Sequence, residues 1–405
     1  MAEPFNTPYP PSTPIPASTP RSTSPAVPRS GPSTPPAAAV LPPIATALDP
    51  APGPTSTTRK PIVLHIGDPV RYNPDTYALF SSSFHVIRPS TQERQRDEFR
   101  RALSEGRWGD FDAIFRPFWG TGGEMGQWDD ELIALLPKSV KVFASAGAGF
   151  DWADVKLLGE RGIIYCNSGL AAADAVADFA MAMIISTFRH IPWCASAAAA
   201  DPSTFQDCHA RATAVSHTLR GQTLGLIGLG NIGAGIAARA HHGFAMKIHY
   251  HDIFRKPESV EASLGAVFHP TLHELIAASD CVVLCTPSPG RGVRVISAPE
   301  LAHFRPGSRF VNIARGPLVD EDALADALDA GILSSVALDV HDDEPHVHPR
   351  LKALAGTKAL LTCHNAGGTV ETHAGFEELS MRNIMAVLGG GEPLTPVNLE
   401  HVKQV

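Results

Sequence analysis

The sequence predicts an α/β fold made of two successive parallel-sheet units, and three observations carry that expectation. Short β-rich runs alternate with helical patterns from Pro61 onward. A long, nearly uncharged helical stretch over 173–188 then interrupts the alternation, and a second alternating set begins at Thr223. Finally, the run Gly228-Leu229-Gly230-Asn231-Ile232-Gly233 falls where the first strand of that second set should meet its first helix.

Taken in chain order, the first 60 residues stand apart. They hold 17 of the 36 prolines, mixed with Ser, Thr and Ala, with only Phe5 and Tyr9 as aromatics. Such a segment buries too little apolar surface to offset its ordering entropy, so residues 1–60 are expected to form a disordered tail. Strands of the first unit are expected at 62–67, 84–88, 113–116, 140–144 and 163–166, with helices at 91–105 and 129–136 between them. The 173–188 helix is apolar on most faces and therefore buried. The stretch 190–220 reads as loop-rich. Strands of the second unit are expected at 223–228, 247–252, 281–285, 309–313, 334–340 and 359–363. Thr271 and Glu274 have capping-box spacing before an apolar pair. Asp320, Glu321 and Asp322 suit the positive end of a helix that stops at Gly331.

Composition narrows the function. Asp and Glu outnumber Lys and Arg by 41 to 33, which argues against nucleic acid as the main partner. No uninterrupted apolar run approaches the ~18 residues of a membrane span, so none is expected. The six cysteines show no zinc-like spacing and read as free thiols, pointing to a cytoplasmic protein. The histidine groups at 241–242, 249–251 and 346–348 each lack a third ligand at a convincing spacing, and no metal is expected.

The glycine run carries the first chemical assignment. It follows the apolar Leu224-Gly225-Leu226-Ile227, and Asp252 closes the next strand 19 residues after the last glycine. That is the layout of a dinucleotide site. Gly228 permits the tight turn, Gly230 lets the backbone approach a pyrophosphate, and Gly233 lets helix and strand pack closely. The amides of Asn231 and Ile232 sit at a helix N-terminus, which favours an anion. Asp252 can accept from both ribose hydroxyls and would repel a 2′-phosphate, favouring NAD; Arg255 and Lys256 follow closely enough to leave NADP open.

Ligands of open α/β sheets bind beyond the carboxyl ends of the strands. Three polar residues follow strand ends in the second unit: Arg315, Glu344 and His364. Their types suit the reduction of a 2-oxo acid. The guanidinium fork matches a carboxylate and polarises the adjacent carbonyl. An imidazole can give a proton to the forming alkoxide and recover it in reverse. A carboxylate beside an imidazole favours its charged, acidic form.

These residues resemble the D-isomer-specific 2-hydroxyacid dehydrogenase family over almost all of 61–405. Val311-Asn312-Ile313-Ala314-Arg315-Gly316 resembles its VNxxRG signature, and Ala337-Leu338-Asp339-Val340 with Glu344-Pro345 resembles LDVxxxEP. Within the family, Ala146-Gly147-Ala148-Gly149-Phe150-Asp151-Trp152 and Cys363-His364-Asn365-Ala366-Gly367-Gly368 are similar to fungal D-mandelate dehydrogenases. The resemblance implies two Rossmann-like domains. A flavodoxin-like substrate domain would take 61–168, with a C-terminal return over 365–405. A doubly wound NAD-binding domain would take 169–364. It implies Arg315, Glu344 and His364 as the catalytic set, and Asp339 as the holder of the nicotinamide carboxamide. Thr286, Ile313 and Ala314 would line the cofactor, and the amides of Ala148 and Gly149 would grip the substrate carboxylate. It also implies a homodimer wrapped through 190–220. The family's PGxN stretch is replaced here by Gly169-Leu170-Ala171-Ala172, which implies a different or larger pocket. Phe118 and Trp119, just beyond the third strand, are the candidates for an apolar side-chain pocket.

The expected activity is therefore an NAD-dependent reduction of 2-oxo acids with aromatic or branched side chains, phenylglyoxylate being the model. Two rivals remain. One is an NADPH-linked glyoxylate or hydroxypyruvate reductase. The other is an NADH-sensing interaction protein similar to the corepressors of this fold, for which the tail would recruit partners. Formate dehydrogenase is disfavoured, because the related enzymes carry Gln where this chain has Glu344.

Overall fold

The computed structural model describes residues 59–118, 120–288 and 292–402. The tail expected over 1–60 lies outside them, Arg59 and Lys60 excepted. The first sheet contains β1 (Ile62–His65), β2 (His85–Ile87), β3 (Ala113–Arg116), β4 (Val142–Ser145) and β5 (Ile164–Cys166). All pairings are parallel, in the order β2-β1-β3-β4-β5, a flavodoxin-like winding.

The second sheet contains β6 (Thr223–Ile227), β7 (Lys247–His251), β8 (Ala266–Phe268), β9 (Cys281–Leu284), β10 (Ser308–Asn312), β11 (Leu333–Leu338) and β12 (Ala359–Leu361). Its order is β12-β11-β10-β9-β6-β7-β8, again all parallel. Leu224 of β6 pairs with Ile248 of β7 on one side and Cys281 of β9 on the other. The winding reverses there, which opens a crevice beyond the carboxyl end of β6. The fold is thus the expected pair of Rossmann-like sheets, with one strand added. β8 is a three-residue strand at the sheet edge, and it follows Gly265 in the left-handed region at φ 58°.

The loop-rich expectation for 190–220 is overturned. That stretch holds two helices, Ile191–Ala198 and Pro202–Val215. Asp201 caps the second, its carboxylate accepting from the amides of Ser203 and Thr204, and Pro202 pre-sets the first turn. Ala195, Ala197 and Ala198 are strong helix formers in the first of them.

The long helix runs over Gly169–Arg189, four residues earlier than the pattern predicts. Its 21 residues and mean hydropathy of 1.6 match a bilayer span by length and composition alone, but Asp174 and Asp178 interrupt the apolar run, as expected from the sequence, and 44% of its apolar window is buried in the fold. In the fold it packs against β10, β11 and the helices Asn231–Ala238 and Val370–Leu388. Its acidic side, Asp174 and Asp178, is held by Arg239 at 3.0 and 2.6 Å.

Helix Val370–Leu388 carries the chain back to the first sheet, packing on β3, β4 and helix Pro74–Ser83. Its Glu377 carboxylate is buried and accepts from the amides of Arg71, Tyr72 and Asn73 at 2.7, 2.8 and 3.1 Å. Beyond it, Asn398 accepts from the Tyr165 amide at 2.8 Å and donates to the carbonyls of Val155 and Ile163. Removing the Glu377 carboxylate strands three amides in a buried place. Glu377→Ala should therefore cost about 3 kcal/mol in urea unfolding. A change below about 1 kcal/mol would show that the loop 71–73 finds other partners.

Candidate active site

β6 ends in the glycine loop. Gly228 adopts φ 98°, and its amide donates to the His251 carbonyl of β7 at 2.8 Å. The Cys285 thiol, pushed up to about 12 by burial and so fully protonated, donates to the Gly228 carbonyl at 3.1 Å. A Cβ on Gly233 would stand 2.4 Å from that carbonyl, so only glycine lets the helix start this close to the strand. Beside Gly230 the space is open, and no side chain caps the helix at Asn231 and Ile232. The amide dipoles there are available to a pyrophosphate. Asp252 accepts from the Leu229 amide at 2.9 Å and pairs with Lys256 at 3.0 Å. Partial burial would raise its carboxyl, but these two partners hold it below the ordinary range. Backbone, glycines and carboxylate together fit a dinucleotide.

A cleft of about 130 Å³ separates Ala148, Gly149 and Asp151, beyond the first sheet, from Thr286, Ile313, Ala314 and Arg315, beyond the second. Arg315 crosses it. Its Nε donates to Asp151 at 3.1 Å and its Nη1 to the Ala314 carbonyl at 2.7 Å. A Cβ on Gly149 would overlap the Arg315 guanidinium, at 1.3 Å from Nη2. The glycine is therefore what allows the guanidinium to lie against the loop expected to grip a carboxylate. Asp151 as the partner of Arg315 was not foreseen, since only the folded chain brings them together across 164 residues.

The other two residues meet directly. His364 Nδ1 lies 2.9 Å from Glu344 Oε2. An ionised carboxylate only accepts, so Nδ1 carries the proton and donates, which fixes the ring through that nitrogen. The other Glu344 oxygen accepts from the His341 amide at 3.0 Å. Burial pushes the Glu344 carboxyl up, but the His364 and His341 bonds prevail and hold it below the ordinary range. A Cβ on Gly316 would fall 1.9 Å from the His341 carbonyl, so the turn of Arg315 rests directly on the turn of Glu344.

Asp339 fixes the third turn. Its buried carboxylate accepts from the Thr362 hydroxyl at 2.7 Å and from the amides of Asn365 and Ala366 at 2.9 Å each. Its carbonyl accepts from the His364 amide at 2.7 Å. His364 itself sits at φ 53°, a left-handed conformation that costs a non-glycine residue about 1 kcal/mol. Asn312, also unforeseen, ties the Arg315 turn by accepting from the Ala314 amide and donating to the Arg315 carbonyl, each at 3.0 Å.

Of the candidate pocket residues, Phe118 stacks at a tilt on His373, with ring centres 4.9 Å apart. His373 in turn meets Tyr72 and Phe376. Trp119 lies outside the described residues. Among the described residues, no group of three His, Cys, Asp or Glu is placed to hold a metal.

The family model of the D-isomer specific 2-hydroxyacid dehydrogenase, NAD binding domain, matches residues 181–366. A glyoxylate reductase of Thermococcus gammatolerans is 35% identical over 285 residues, 68% of this chain and 81% of the relative. The chain belongs to the D-isomer-specific 2-hydroxyacid dehydrogenase family. A 4-methyl-2-oxopentanoate reductase of Aspergillus oryzae is 33% identical over 302 residues, 75% of this chain and 88% of that one. The holo structure of Rhodotorula graminis D-mandelate dehydrogenase superposes with a TM-score of 0.80 at 40% identity, covering 84% of this chain and 98% of the other. The protein is thus an NAD-binding oxidoreductase of this family, a 2-hydroxyacid dehydrogenase.

Two outcomes follow for this dehydrogenase. Gly149→Ala should displace the Arg315 guanidinium and lower kcat/KM about 10- to 100-fold. Its Tm should stay within about 2 °C of wild type, since the clash is with a flexible side-chain end. Glu344, depressed in the folded state, contributes stability above its ordinary pKa of 4.5 that is lost only as pH falls through the lower folded value. The Tm gap between wild type and Glu344→Gln should hold from about pH 7 to pH 5 and shrink below about pH 4.

Proposed function

We propose that the chain reduces 2-oxo acids with aromatic or branched side chains to the D-2-hydroxy acids, using NADH. The observation that carries this reading is the His364–Glu344 bond at 2.9 Å, which anchors the imidazole through Nδ1 and supports a role for Nε2 as the proton donor. When bound, the nicotinamide supplies the hydride for C2 of the substrate. The amides of Ala148 and Gly149 hold the substrate carboxylate, and Arg315 leaves Asp151 to bind the carboxylate and polarise the carbonyl. His364 Nε2 gives its proton to the carbonyl oxygen as the alkoxide forms, and Glu344 stabilises the imidazolium before that transfer. The Asp339 carboxylate uses three of about four acceptor positions on the turn after β12, which would leave one for the nicotinamide carboxamide.

The substrate class draws on the D-mandelate dehydrogenase and the 4-methyl-2-oxopentanoate reductase, whose substrates carry an aromatic and a branched group. Phe118 and Trp119 are proposed to line that side-chain pocket. The glyoxylate reductases favour a second reading, a small unbranched 2-oxo acid. In domain terms, 61–168 with 365–405 would hold the substrate and 169–364 the cofactor. Ile191, Phe205 and Val215 are 45, 54 and 43% exposed on the paired helices, which supports a homodimer through that face. Six unpaired cysteines suit a reducing cytoplasm.

The test is NADH oxidation with phenylglyoxylate, 4-methyl-2-oxopentanoate, hydroxypyruvate and glyoxylate. The first two should be turned over with kcat/KM at least about 10-fold above the last two; the reverse order selects the small-acid reading. His364→Gln should lose about 1000-fold or more in kcat while NADH still binds. Turnover of none of the four would remove the proposal.

A further inference from the structure

Asp252 alone does not decide between NADH and NADPH, because Arg255 follows it by three residues. A guanidinium free to swing beside the adenosine ribose would bind a 2′-phosphate and offset the repulsion from Asp252. The fold does not leave Arg255 free. Its Nε and Nη2 donate fork to fork to the two oxygens of Glu261, at 3.0 and 2.8 Å. Glu261 stands on helix Glu258–Leu264 and is only 7% exposed. The Tyr250 hydroxyl, from a fully buried ring on β7, donates to Glu261 Oε1 at 2.6 Å and accepts from the Lys256 amide at 2.9 Å. The Arg255 guanidinium also lies over the Phe268 ring of β8, 5.8 Å from its centre. Lys256, the other cation of this loop, is spent on Asp252.

We propose that Glu261 is a positioning residue for cofactor choice, which withholds Arg255 from a 2′-phosphate and so makes the site prefer NADH to NADPH. The inference rests on the reading of the Asp252 loop as the ribose site. Recruiting Arg255 to the phosphate would strand a buried carboxylate with only a hydroxyl for company, and an exposed ion pair returns too little to offset that loss. The bonds from Arg255 and Tyr250 hold the Glu261 carboxyl down to about 2, so the clamp stays charged at any physiological pH. NADPH is disfavoured twice: directly by Asp252, and indirectly by the leash on the neighbouring cation.

The experiment is calorimetric titration of the full chain with NADH and with NADPH, without substrate, alongside melting curves. Wild type should bind NADH more tightly. In Glu261→Gln the amide oxygen can still accept from Tyr250, but the charge and the second oxygen that clamp the guanidinium are gone, so the NADPH-to-NADH Kd ratio should fall at least about 10-fold. The double variant Arg255→Ala with Glu261→Gln should lose that gain. An unchanged ratio in Glu261→Gln, or a gain that survives the double change, overturns the proposal. Arg255→Ala alone gives an answer even if Glu261→Gln does not fold. A withheld arginine predicts NADPH affinity within about 2-fold of wild type, and a loss of about 10-fold or more would show that Arg255 already serves the phosphate. Wild type that binds neither dinucleotide would instead sink the ribose-site reading beneath it.

Discussion

The buried carboxylate of Asp339 is the constraint on which the site geometry depends. It gathers a hydroxyl and two amides from the turn after β12, while its own carbonyl takes the His364 amide. A charge in a place this dry persists only when its lone pairs are filled, so the turn cannot leave without exposing it to a large desolvation penalty. That penalty keeps His364 in a left-handed conformation that a histidine would otherwise avoid. Asn312 does the same work at lower charge for the Arg315 turn. Arg315, Glu344 and His364 are accordingly more exposed than Asp339 and Asn312, which hold their turns.

From there, contact passes between turns rather than through a shared pocket wall. Gly316 lies on the backbone of His341, His341 holds Glu344, and Glu344 orients His364. Arg315 faces the other way, onto Gly149 and Asp151. The guanidinium thereby joins the turns of the two sheets through its bond to Asp151. Missing side chains at Gly149 and Gly316 matter as much here as the charged ones that are present.

Much of this was legible in the sequence. Strands with apolar content stood out, including the three-residue β2, β5 and β12, and so did a glycine run followed by an acidic strand end. Arg315, Glu344 and His364 could be singled out because each is a polar residue just past a predicted strand, and the family resemblance then gave them roles. What could not be read depends on proximity in space. Asp151 and Arg315 are far apart in the chain, and nothing in the string marks Gly149 as room for a guanidinium. β8, a three-residue edge strand, was missed, and so were helices 191–198 and 202–215, the second of which starts at the Asp201 cap with Pro202 in its first turn. The Arg255–Glu261 clamp was equally hidden, since sequence proximity to Asp252 suggested the opposite role for that arginine.

The central claim is that one guanidinium, one imidazole and two loop amides act on the same small molecule. A crystal structure of the chain with NAD and a non-reacting 2-oxo acid analogue tests it most directly. The account predicts His364 Nε2 and an Arg315 nitrogen both within about 3.2 Å of the analogue's carbonyl oxygen, with Asp151 displaced from the guanidinium. An analogue bound in the closed cleft with His364 beyond about 6 Å, or with Arg315 still on Asp151, would contradict it.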